Sequence, residues 1–102
     1  MNIKKKQEGS TLFVKISGRI DTATSPEVDS YINENLDGVN EVVLDFEEVN
    51  YVSSAGLRVL LSLHKKMMAK EGMKLVNVNE AVCDVFEVTG FDEILTYEKG
   101  AK

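Results

Sequence analysis

A strand–helix–strand succession in the middle of the chain leaves few folds open to it. Val42-Val43-Leu44-Asp45-Phe46 is a short apolar run that reads as a buried strand, within Glu41–Phe46. A helical pattern extends from Leu57 to about Lys70. Leu57, Leu60, Leu61, Leu63, His64, Met67 and Met68 share one side, and Arg58, Ser62, Lys65, Lys66 and Lys70 lie largely on the other. Gly72 ends the pattern, and residues 73–78 read as another strand around Leu75-Val76. Strands joined through a helix are expected to lie parallel, with a right-handed crossover.

The flanking segments extend this pattern. Residues 2–8 alternate weakly and suit an edge strand, with Lys4, Lys5 and Lys6 discouraging pairing to another chain. Gly9-Ser10 is a hairpin turn, and residues 11–17 alternate with Leu12, Val14 and Ile16 on one face. Residues 18–24 leave the strand. Ser25-Pro26-Glu27 starts a helix with Ser25 as N-cap, Thr24 with Glu27 offering a competing register; Val28, Tyr31, Ile32 and Leu36 form its stripe and Gly38 its stop. Glu47-Glu48-Val49-Asn50 reads as a connecting loop. Asn79 caps a third helix that buries Ala81, Val82, Val85 and Phe86 and stops at Gly90; residues 94–97 form a last strand. The order is β-β-α-β-α-β-α-β: an α/β fold, a mixed β-sheet with packed helices. Residues 1–102 are expected to form a single domain, with 98–102 a frayed tail.

Composition narrows the function. Twelve basic residues against seventeen acidic ones give a net charge of −5. Nucleic-acid binding rests on Lys and Arg neutralising phosphates, so no nucleic-acid partner is expected, nor docking on anionic lipid. No apolar run approaches the ~20 residues of a membrane span, and Met1–Lys6 has no apolar segment behind it to make a secretory signal. The single cysteine, Cys83, cannot form an internal disulfide, which fits a reducing compartment. A cytoplasmic location is the expectation.

Enzymatic constellations are hard to assemble from these residues. The stretch Tyr51-Val52-Ser53-Ser54-Ala55-Gly56-Leu57 places two hydroxyls at a strand-to-helix junction. A hydrolytic serine needs a histidine base within hydrogen-bond reach. The only histidine, His64, is ten residues beyond Ser54 on the same helix, roughly 15 Å away at 1.5 Å per residue. One His and one Cys do not make a tetrahedral metal site, and no calcium-loop or glycine-rich phosphate-loop spacing is present. Neither metal nor cofactor is expected. Cys83 reads as a small apolar filler. Two uses of the junction stay open on the residues alone. A Ser there can cap the helix, or it can carry a phosphate where free N–H groups and the dipole favour an anion.

Longer motifs run through these positions. Val49-x-Tyr51-Val52-Ser53-Ser54-Ala55-Gly56-Leu57-Arg58-Val59-Leu60 resembles the signature of anti-sigma-factor antagonists, which are single STAS domains. Gly18-Arg19-Ile20-Asp21-x-x-Thr24 is similar to the family's other signature, and Val85-Phe86-x-x-x-Gly90-Phe91 to its third-helix ending. The resemblance spans essentially the whole chain and agrees with the element order.

It implies a partner switch rather than a catalyst. The unmodified protein would bind an anti-sigma factor that is also a serine kinase, freeing a sigma factor. Phosphorylation of Ser54 would end the complex, and a PP2C-type phosphatase would restore it. Ser53 stands where the family usually has Asp, which makes it a second candidate acceptor; Ala55 stands where Ser or Thr is frequent. The implied partner-binding surface is Asp21, Thr22, Thr24, Ser53, Ser54, Ala55, Gly56, Leu57 and Arg58. The alternative use of such a domain is as a subunit of a lipid-transport or stress-signalling assembly, with Ser54 only a helix cap.

Overall fold

The computed structural model describes residues 1–100. The elements are β1 (Asn2–Glu8), β2 (Thr11–Ile20), α1 (Ser25–Asn33), β3 (Glu41–Val52), α2 (Ser54–Met68), β4 (Gly72–Val78), α3 (Glu80–Thr89), a short 3-10 turn (Phe91–Glu93) and β5 (Thr96–Lys99). The expected order is therefore the observed one. The strands form one sheet in the order β1-β2-β3-β4-β5. Only the β1–β2 hairpin is antiparallel, with Lys4 opposite Lys15 and Lys6 opposite Phe13. The pairs β2–β3, β3–β4 and β4–β5 are parallel.

Period-two alternation decides which face is core. Leu12, Val14, Ile16 and Ile20 of β2, Val42, Leu44 and Phe46 of β3, and Met73, Leu75 and Val78 of β4 are buried beneath the helices. They pack with Val28 and Ile32 of α1, Leu57, Leu60, Leu63 and Met67 of α2, and Val82 and Phe86 of α3. The opposite face carries Phe13, Lys15, Val43, Asp45, Lys74 and Val76 around a shallow groove of about 500 Å³.

Several boundaries differ from the sequence reading. β3 does not end at Phe46; it continues to Val52 beside a β2 that itself runs on to Ile20, with Gly18 opposite Val49 and Ile20 opposite Val52. Glu47 and Glu48 are strand residues, not loop charges. Lys15 on the neighbouring strand lies 3.0 Å from the Glu48 carboxylate and 3.9 Å from that of Glu47, and the Ser17 hydroxyl donates to Glu48 at 3.2 Å. These bonds from Lys15 and Ser17 hold the Glu48 carboxyl below its ordinary range. Cross-strand partners thus make a place for two acids that local propensity sends to a loop.

At α1, Thr24 occupies the N-cap position without a side-chain cap bond; Ser25 is the first helical residue and buried, and the helix ends at Asn33, ahead of Gly38. On α3, Cys83 takes the inward position expected for Ala81, which is exposed. Burial pushes the Cys83 thiol up from its ordinary range, which suits an apolar filler. Met68, expected on the buried stripe of α2, is exposed. Residues 94 and 95 precede the last strand rather than forming it. Glu98 and Lys99 belong to β5, and the Gly100 N–H donates to the Val78 carbonyl at 2.9 Å, so the expected frayed tail is paired this far; residues 101–102 lie outside the described residues.

Candidate functional site

The prolonged ends of β2 and β3 determine where the two motif loops sit. The Ser53 N–H donates to the Ile20 carbonyl at 2.8 Å. The loop after β2 and the start of α2 therefore leave the sheet side by side. This places Asp21, Thr22 and Thr24 on the loop neighbouring Ser53 and Ser54.

The two serines have different jobs. Ser53 is the N-cap of α2: its backbone is extended and its Oγ accepts the Gly56 N–H at 3.2 Å. The Ser53 carbonyl accepts the Leu57 N–H at 2.9 Å. Ser54 is the first helical residue, and it is exposed. Its hydroxyl makes no hydrogen bond among the described residues; only its carbonyl is engaged, by Arg58 Nε at 3.4 Å. The assignment of Ser54 as helix cap is thus corrected: the capping hydroxyl belongs to its neighbour.

Gly56 explains how α2 reaches this position. A Cβ there would lie 2.8 Å from the Ile20 carbonyl oxygen, 2.9 Å from Ile20 Cγ2 and 3.0 Å from Val52 Cγ1. Only glycine lets the first turn of α2 rest directly on the strand ends. Gly56 and Leu57 are both buried. Their place in the expected partner surface is corrected as well: they seat the helix and face the core.

The loop after β2 is held by its own side chains. The Asp21 carboxylate accepts the Ala23 N–H at 3.0 Å and the Thr24 N–H at 3.1 Å. The Thr24 hydroxyl accepts the Asp21 N–H at 2.9 Å and donates to the Arg19 carbonyl at 2.7 Å. The bond from the Thr24 N–H, helped by the Thr24 hydroxyl, the Ala23 N–H and nearby Arg19, holds the Asp21 carboxyl below its ordinary range despite some desolvation. Asp21 and Thr24 therefore shape the loop. Thr22 and Ala23 present its exposed tip.

Two residues missed by the sequence reading of the site complete the surface. The Arg19 guanidinium lies 4.3 Å from the centroid of the Tyr51 ring, and its Nε is 3.6 Å from Asp21 Oδ2. Arg19 is opposite Tyr51 across the β2–β3 ladder, and Tyr51 is 40% exposed. The signal was the pairing of the two motifs, visible only once β2 and β3 run past Ser17 and Phe46. His64 stays on α2 away from the serines, its Nδ1 buried without a hydrogen-bond partner among the described residues. Among those residues no three His, Cys, Asp or Glu side chains are placed to hold a metal ion, and no helix is long and apolar enough to cross a membrane.

Residues 2–101 match the STAS domain family. The chain belongs to that family. A Bordetella bronchiseptica protein assigned as an anti-sigma factor antagonist, BtrV, is 33% identical over 82 residues, covering 78% of this chain and 71% of that protein. The STAS chain also superposes on the crystal structure of an anti-sigma factor antagonist from Mycobacterium paratuberculosis with a TM-score of 0.83 and 24% identity, over 94% of this chain and 83% of that one. The phosphorylated form of the Bacillus cell fate determinant SpoIIAA superposes with a TM-score of 0.72 at 17% identity, over 96% of this chain and 92% of that one. These two structural likenesses carry the fold. The STAS chain has the same layout of helices on one face of a five-stranded sheet, with its two motif loops at one end.

Proposed function

We propose that this STAS protein is an anti-sigma factor antagonist working by partner switching in the bacterial cytoplasm. Unmodified, it binds an anti-sigma factor that is also a serine kinase, and a sigma factor is released. Phosphorylation of Ser54 dissolves that complex, and a PP2C-type phosphatase restores the binding form. The names of its relatives support the antagonist role. One observation supports Ser54 over Ser53 as the acceptor: the Ser54 hydroxyl is exposed and unbonded, whereas the Ser53 hydroxyl is committed to the Gly56 N–H.

In the transfer, the Ser54 oxygen attacks the γ-phosphorus of ATP. The new O–P bond forms as the bond to the departing ADP breaks, and the hydroxyl proton passes to a base on the kinase. The product carries about −1.5 to −2 charge at pH 7. On the first residue of α2 it lies where the helix dipole tolerates an anion, so the fold survives. On a docking surface the same charge must be desolvated against the partner, which costs binding several-fold to many-fold. Thr22, Ala23 and Arg58, exposed around Ser54, form the rest of that surface.

The test is intact-mass spectrometry after incubation with the cognate kinase and ATP. Wild type and Ser53→Ala should each gain one phosphoryl group, about 80 Da, and Ser54→Ala none. Ser54→Ala should still bind the kinase, and Ser54→Asp should bind it weakly. A gain persisting in Ser54→Ala would move the acceptor to Ser53.

A further inference from the structure

α2 runs from Ser54 to Met68 with no Asp or Glu anywhere in it. Arg58 is therefore a cation with no acidic partner on its own helix. Among the described residues it enters no ion pair, and it is exposed. The chain's other arginine, Arg19, is already occupied by the Tyr51 ring and the Asp21 carboxylate. Arg58 lies four residues after Ser54, so the two side chains rise on the same face of the helix. Its Nε donates back to the Ser54 carbonyl at 3.4 Å, which folds the guanidinium toward the first turn.

We propose that Arg58 is the side chain that binds a phosphoryl group on Ser54, closing from its exposed place beside the first turn of α2 onto the modified serine. This rests on the reading that Ser54 carries the phosphate. At the helix start the Gly56 N–H is taken by the Ser53 hydroxyl and the Ser53 N–H by the Ile20 carbonyl, which leaves the N–H groups of Ser54 and Ala55 as backbone donors but no full positive charge to match the phosphate. A guanidinium supplies paired donors in the geometry phosphate oxygens accept. The order of charges, anion first and cation four residues later, is the favourable one on a helix. Phosphorylation then changes the docking surface twice: it adds an anion and withdraws the exposed arginine beside it.

The test uses the full chain with phosphoserine installed at position 54 during translation, so no kinase is needed and the contact is judged apart from the kinase reaction. The phosphorus NMR signal is followed through a pH titration at low salt. A nearby guanidinium favours the dianion, so Arg58→Ala should titrate higher than the phosphorylated wild type, by roughly 0.15 to 0.4, the equivalent of a helical i,i+4 ion pair. Arg58→Lys should fall between them, and high salt should close the gap. Ala and Arg have similar helix propensities, so the variant should keep its fold. Identical titrations of wild type and Arg58→Ala would overturn the proposal, as would a displacement produced by Arg19→Ala but not by Arg58→Ala.

Discussion

Replacing Gly56 with alanine sets two physical terms against each other. Intrinsic helix propensity favours the change by about 1 kcal/mol, because alanine restricts the unfolded chain. The contacts oppose it. The new methyl would meet the Ile20 carbonyl oxygen at 2.8 Å, Ile20 Cγ2 at 2.9 Å and Val52 Cγ1 at 3.0 Å. The first of these is backbone and cannot rotate away. It is also the acceptor for the Ser53 N–H at 2.8 Å, so lifting α2 to make room stretches the bond that joins the two motif loops. Overpacking of this kind costs about 1–3 kcal/mol, and the weakened hydrogen bond about 0.5–1.5 kcal/mol more. Subtracting the propensity gain leaves a net loss of about 0.5–3.5 kcal/mol, centred near 2. In a domain of this size such a loss lowers the melting temperature by on the order of 10 °C. Urea titration followed by circular dichroism, with thermal melts alongside, measures it. A Gly56→Ala protein as stable as wild type, or more so, would show that the strand ends yield freely and that the glycine is not what seats the helix.

Two further outcomes follow from the same junction. Ser53→Ala removes the cap and should cost about 1 kcal/mol in a denaturant titration, whereas Ser54→Ala should stay within about 0.5 kcal/mol of wild type; the reverse ranking would contradict the assignment of the cap to Ser53. The Asp21 carboxyl is held below its ordinary value of 3.8. Its contribution to stability is therefore fully present above that value and is lost as pH falls through the lower folded value. Amide resonances of Ala23 and Thr24 should move together in an acid titration, with a midpoint below 3.8. Asp21→Asn should abolish that step, and a midpoint above the ordinary value would refute the bonding described.

The element order was legible because each element announces itself locally. Leu12, Val14 and Ile16 alternate, the α2 stripe repeats with helical spacing, and Gly90 closes α3 in a left-handed conformation with φ 80°. The site was legible in outline through its two motifs. What escaped was set by contacts between segments distant in sequence. Glu47 and Glu48 look like loop residues until Lys15 and Ser17 stand beside them. The cap at α2 depends on one residue of register, since two adjacent serines fit the same propensity and only the extended backbone at Ser53 decides between them. Gly56 and Leu57, placed by motif with the exposed residues, turn inward because the helix must lie on Ile20 and Val52.

On the proposed function, that single residue of register separates folding from switching. Ser53 and Gly56 carry the structural load: one hydroxyl satisfies an N–H at the helix start, and one missing side chain lets the helix meet the sheet. Ser54, between them, carries none of it. Were the modified hydroxyl also the cap, each phosphorylation would exchange a hydrogen bond of the fold for a new charge, and the switch would trade stability against signal. With the cap assigned to the neighbour, the Ser54 hydroxyl can gain and lose a phosphoryl group while the Ser53–Gly56 bond stays made. The usual aspartate at position 53 could cap this helix in the same way, since its carboxylate also accepts an N–H. It would, however, place a fixed negative charge directly beside the phosphate. Serine at this position keeps the cap, removes that repulsion, and leaves Arg58 as the nearest charge on the helix to answer the modification.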